Sequence, residues 1–121
     1  MKNLVARAPI PNAKIQMSLK QHMIAVEKFK AMAMEGSAKS IDFLISCLDK
    51  NTDLPTTKRL DYALSFVTSQ EGIGQLEHYL FNGTQIQRNY ITLFFARRNE
   101  WPLVNRAYAM KLIDYRQAYS R

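Results

Sequence analysis

Residues 56–83, TTKRLDYALSFVTSQEGIGQLEHYLFNG, and residues 84–114, TQIQRNYITLFFARRNEWPLVNRAYAMKLID, carry the same apolar layout twice. Tyr62, Phe66 and Leu76 in the first stretch stand about 28 positions before Tyr90, Phe94 and Val104 in the second. Each stretch reads as a helix-length pattern, a short break and a second helix-length pattern. A helix pair of that size is too thin to bury its own apolar face, so copies of it are expected to stack. The layout bears on architecture and names no reaction.

Within the first stretch, Pro55 suits a helix entrance and Leu60, Ala63, Leu64 and Val67 form the buried face, with Tyr62 and Phe66 flanking it. Thr68 or Ser69 is expected to cap the next helix, with Glu71 at capping-box spacing from Thr68. Gly72 and Gly74 predict an irregular start to that helix, whose apolar residues are Leu76, Tyr79 and Leu80. Asn82-Gly83 is the clearest break in the chain. In the second stretch Thr84 and Gln87 again have capping-box spacing, and Ile86, Tyr90, Leu93 and Phe94 fall on one stripe. Asn99 is expected to cap the following helix, with Pro102 in its first turn and Val104, Ala107, Tyr108, Met110 and Leu112 beyond it. Asp114 starts a last turn.

Upstream, residues 1–12 read as a flexible lead, because Pro9 and Pro11 disfavour helix in the residues before them. Residues 13–34 predict a long amphipathic helix with Ile15, Leu19, Met23, Val26, Phe29 and Ala33 on one face. Gly36 ends it, and Ser37 caps a shorter helix that buries Ile41, Leu44, Ile45 and Leu48 beside Cys47. Nothing alternates strictly enough for a strand. The expectation is an all-α fold of five to seven helices, as stacked antiparallel pairs or an irregular bundle, in one domain over residues 13–121.

The two quoted units resemble the HEAT-like helical repeat family over about half of the chain. Such units often place a small residue after an arginine in the first helix. Arg59 precedes Ala63 in this way, whereas Arg88 precedes Ile91 and Thr92. The resemblance implies a binding scaffold that presents a groove to a protein or nucleic acid, and it implies no catalytic residue.

The 121 residues carry a net charge of +7, unevenly placed: +4 over residues 1–35, −2 over 36–83 and +5 over 84–121. Such asymmetry fits either an anionic partner or a solvated face that aids solubility. Cys47 is the single cysteine, which excludes an internal disulfide and fits a reducing compartment. No signal peptide and no apolar run of spanning length is visible, so the expected setting is cytoplasmic, with no membrane contact.

Few residues in the chain carry a pattern that points to chemistry. His22 and His78 have no histidine, cysteine or carboxylate at i+3 or i+4, the spacing a helical metal site needs. Cys47 falls near an apolar face, where cysteine behaves as a small hydrophobe. Gly72-Ile73-Gly74 lacks the third glycine and the preceding strand of a phosphate loop. No cofactor and no catalysis are expected.

The functional lead is the basic and aromatic cluster of the C-terminal part. Arg88, Arg97, Arg98, Arg106, Lys111, Arg116 and Arg121 interleave there with Tyr90, Trp101, Tyr108, Tyr115 and Tyr119. Taken singly, Tyr90, Tyr108 and Trp101 are expected to serve the core. As a set, the cluster predicts docking on an acidic protein surface or on a second copy of the chain. Trp101 and Tyr115 would supply anchor area, Arg97, Arg98 and Arg106 would fix orientation, and Arg88, Lys111 and Arg116 would add charge. The alternative is non-specific nucleic-acid binding by the same arginines. The flank of Met23, Met32 and Met34 on the first helix is a second possible contact surface.

Overall fold

The computed structural model describes residues 11–120, with side chains from residue 23 onward. Among the described residues there are seven helices and no strand: α1 (Pro11–Glu35), α2 (Ala38–Ser46), α3 (Leu54–Leu64), α4 (Gln70–Asn82), α5 (Gln85–Arg97), α6 (Trp101–Ala109) and α7 (Tyr115–Tyr119). The all-α expectation is met. Of the expected lead, residues 1–10 lie outside the described residues, while Pro11 and Asn12 already belong to α1. The side chains of Ile15, Leu19 and His22 also lie outside them.

Local signals set most of the helix ends. Ser37 accepts from the Ser40 N–H, and Asp53 opens α3 by accepting from the Thr56 N–H, with Pro55 in the first turn as its entrance position predicts. Thr84 with Gln87 and Asp114 with Gln117 form complete capping boxes at α5 and α7. Three ends use a left-handed residue. Gly36 (φ 72°) closes α1, Asn99 (φ 61°) closes α5 and Lys111 (φ 62°) closes α6. The Glu100 N–H reaches the Phe95 carbonyl and the Asn99 N–H the Ala96 carbonyl; Leu112 and Lys111 repeat this on Ala107 and Tyr108. Both are Schellman closures. Asn99 therefore ends α5 instead of capping α6, whose own cap residue, Glu100, makes no side-chain cap bond.

The α4 start is also revised. Ser69, not Thr68, caps it, and the helix begins regularly at Gln70. Glu71 turns away from any capping box and accepts the Ala38 N–H at 2.7 Å, while the Ser69 hydroxyl donates to the Gly36 carbonyl at 2.7 Å. These bonds tie the α1–α2 turn to the head of α4. Gly72 is buried at this crossing because a side-chain carbon there would meet Ser69, Val67 and the Gly36 carbonyl at 3.0 Å or less.

α5 is the hub, packing against α3, α4, α6 and α7. α1 lies on α3 and α2, and α2 lies on α4. In the first quoted unit, α3 rests chiefly on α1 and α4 on α5 and α2, so the two helices find separate neighbours; α5 and α6 of the second unit do pack together. One core runs through the bundle, with Ile41, Leu44, Leu60, Leu64, Leu76, Leu80, Ile91, Phe95 and Val104 all fully buried. The predicted α2 and α3 faces are confirmed. On α5 the buried face is Ile91, Thr92, Phe94, Phe95 and Ala96; of the expected Ile86–Tyr90–Leu93–Phe94 stripe only Phe94 is buried, so the face is rotated from it. On α1, Ala33 is buried and Phe29 and Met32 pack on the core, but Met23 is 70% exposed.

Candidate interaction surface

α6 and α7 are short helices joined by the Lys111 closure, and this brings four aromatic rings into one group. Trp101 stacks on Tyr119 with centroids 6.4 Å apart and planes 23° apart. Tyr119 meets Tyr108 at 5.4 Å and Tyr115 at 5.2 Å, and Tyr108 meets Tyr115 edge-on at 6.1 Å. The Tyr119 hydroxyl donates to Asn105 Oδ1. Ring faces held at 4.5–7 Å in edge and offset geometry stabilise one another beyond their buried area. The group is nevertheless open to water: Tyr115 is 65% exposed, Tyr108 39% and Trp101 37%. Tyr108 and Trp101 thus lie at the surface, not in the core, while Tyr90 is half-buried against the core.

Beside the rings lies a cleft of about 740 Å³ lined by Gln85, Tyr108, Lys111, Leu112, Ile113, Asp114, Tyr115 and Gln117. Gln85 fixes its floor by donating to the Leu112 carbonyl at 3.2 Å and to Asn89 at 2.8 Å. Gln85, Asp114 and Gln117 were not anticipated as site residues. Their only local signal was the capping-box spacing of Asp114 and Gln117.

The expected cations divide into separate groups. Arg97 is committed within the fold: its two Nη atoms each donate to an Asp61 oxygen at 2.9 Å. This bond holds the Arg97 guanidinium above its ordinary pKa against partial burial. Arg98 lies 5.3 Å over the Phe94 ring and Arg106 lies 4.2 Å over Phe81. Neither has a carboxylate in ion-pairing range among the described residues. Arg97 and Arg98 border a small hollow with Ser65 and Phe94. Lys111 stands in the aromatic cleft, and Arg116 lines a neighbouring depression with Asn89, Leu93 and Gln117. Arg88 is half-buried, and its Nε has no hydrogen-bond partner. The structure therefore unites Trp101, Lys111 and Tyr115, sets Arg116 near them and places Arg97 and Arg98 elsewhere.

Cys47 is half-buried; burial pushes its thiol pKa up, partly offset by a Ser46 hydrogen bond, with Asp49 adding to the rise. That environment favours the neutral thiol over a nucleophilic thiolate. His78 contacts Asn82 and Tyr79. Among the described residues, no three histidine, cysteine or acidic side chains cluster as metal ligands, and no helix is long and apolar enough to cross a membrane.

Comparison of the chain with protein-family models, with curated proteins and with solved structures gives no match.

Proposed function

We propose that this all-helical domain is a cytoplasmic adaptor of the HEAT-like kind that docks on an acidic protein surface through its α6–α7 end. The observation that carries the reading is the ring group of Trp101, Tyr108, Tyr115 and Tyr119, packed ring against ring with the first three exposed, and with Lys111 in the adjoining cleft. Rigid aromatic side chains bury large areas on binding at little entropic cost, and cations around them select an acidic counterpart. Trp101 and Tyr115 act as anchors, and Lys111 and Arg116 set the register. Arg98 and Arg106 add long-range attraction from ring-supported positions, whereas Arg97 serves the fold through Asp61. The reading assigns no catalytic step.

The test is capture of partners from native extract, with and without nuclease. It compares the wild-type chain with a Trp101→Ala/Tyr115→Ala variant and a Lys111→Glu/Arg116→Glu variant. The expected result is a nuclease-resistant protein retained by the wild type and lost by both variants. Loss on nuclease treatment, with the logarithm of direct DNA or RNA affinity falling linearly with log[salt], would assign the surface to nucleic acid instead. Equal capture by all three chains would remove the surface from consideration.

A further inference from the structure

The α1 surface between Met23 and Met34 is largely exposed and carries a pattern the C-terminal surface does not explain. Met23, Glu27, Lys30 and Met34 follow one another at spacings of four, three and four residues. At 3.6 residues per turn these four positions lie within about 60° of one another, on a single stripe of the kind that forms a two-helix seam. Met23 is 70% exposed and Met34 62%, and Glu27 is also exposed; Lys30 is half-buried with its Nζ 4.7 Å over the Phe66 ring at the edge of the stripe. Neither Glu27 nor Lys30 has an ion-pair partner among the described residues. Ala31, small and exposed, flanks the stripe and leaves room for a close neighbour.

The order Met–Glu–Lys–Met reads the same from either end, with the two charges exchanged. That is the arrangement a two-fold axis requires, because an isologous contact sets each residue against a different residue of an identical surface. Placing the axis between Lys28 and Phe29 with the helices antiparallel sets Met23 against the partner's Met34 and Glu27 against the partner's Lys30. Two opposite-charge pairs then lie at the centre, with a pair of adaptable methionine contacts at each end. A parallel pairing would set Glu27 on the partner's Glu27 and is disfavoured by like-charge repulsion. We infer that α1 is a self-recognition helix, pairing antiparallel with α1 of a second copy through Met23, Glu27, Lys30 and Met34. The stripe rises only about 17 Å, so the contact belongs to the small, reversible class of interface.

Sedimentation equilibrium of the full chain from submicromolar to millimolar concentration tests this. The wild type is expected to dimerise reversibly. Glu27→Lys and Lys30→Glu, each checked for unchanged helix content, set like charges face to face and should each raise the dissociation constant by roughly tenfold or more. The double variant Glu27→Lys/Lys30→Glu restores opposite pairs and should return it to near the wild-type value. A wild type monomeric throughout, a dimer insensitive to either single change, or a double variant no better than the singles would each overturn the inference. The α6–α7 variants described above leave this face untouched, so a failure here and a failure of the docking surface are read separately.

Discussion

Three backbone positions in the left-handed region, Gly36, Asn99 and Lys111, each close a helix, and they differ in what the side chain costs. Gly36 has no alternative: a side-chain carbon there would collide with Ser69, whose hydroxyl donates to the Gly36 carbonyl. Gly36→Ala should therefore destabilise the fold by about 2–3 kcal/mol, combining left-handed strain with loss of that bond, as read from the urea midpoint. Asn tolerates the conformation at 99, but lysine does not favour it. Lys111→Gly should stabilise the domain by about 1 kcal/mol in the same assay. It should also weaken the proposed partner capture, because it removes the cation in the aromatic cleft. Gly36 was legible from sequence because a glycine after an amphipathic run is a local signal. Asn99 was misassigned because the same residue type suits the end of one helix and the start of the next, and only the Schellman hydrogen bonds decide between them.

At the scale of elements, the helices with one neighbouring layer were easy to orient and the central one was not. α2 and α3 each present one apolar stripe, and Ile41, Leu44, Leu60 and Leu64 are buried as their spacing required. α5 touches four other helices and is apolar on several sides, so a single-stripe reading chose Tyr90 over Phe95. Phe95 is fully buried, whereas Tyr90 is only half-buried against the core. Phe95→Ala should cost about 3–5 kcal/mol, and Tyr90→Ala clearly less, by denaturant titration. A reversed order would mean that α5 presents its other face to the core. The misplaced capping box at α4 has a comparable cause: Glu71 is taken by the Ala38 N–H, 33 positions away, a contact that spacing along the chain does not reveal.

Over the described residues, the packing is densest in the middle of the chain. α2 to α5, with Leu48 and Val67 just beyond α2 and α3, hold nearly all of the largest buried side chains, whereas α6, α7 and the loop between them contribute Val104, Ala107, Ile113 and Ala118 and lean on α5, α4 and each other. α7 is only five residues long and depends on its Asp114–Gln117 capping box. Elements with few buried contacts open at lower free energy than the core they rest on. The aromatic composition of the proposed docking surface was visible in sequence. Its placement was not, because it depends on two short helices closing on one another through Lys111. Trp101 is the only tryptophan and reports on that closure through its stack with Tyr119. Its fluorescence should therefore change at lower urea concentration than the far-UV signal of the helices. Asp114→Ala, which removes a cap worth about 1 kcal/mol, should widen the gap between the two transitions. Coincident transitions in both proteins would show that α6 and α7 belong to the same cooperative unit as the core. A partner that binds only the closed arrangement should bring the tryptophan transition up toward the helical one, by an amount that grows as the logarithm of one plus its concentration over its dissociation constant.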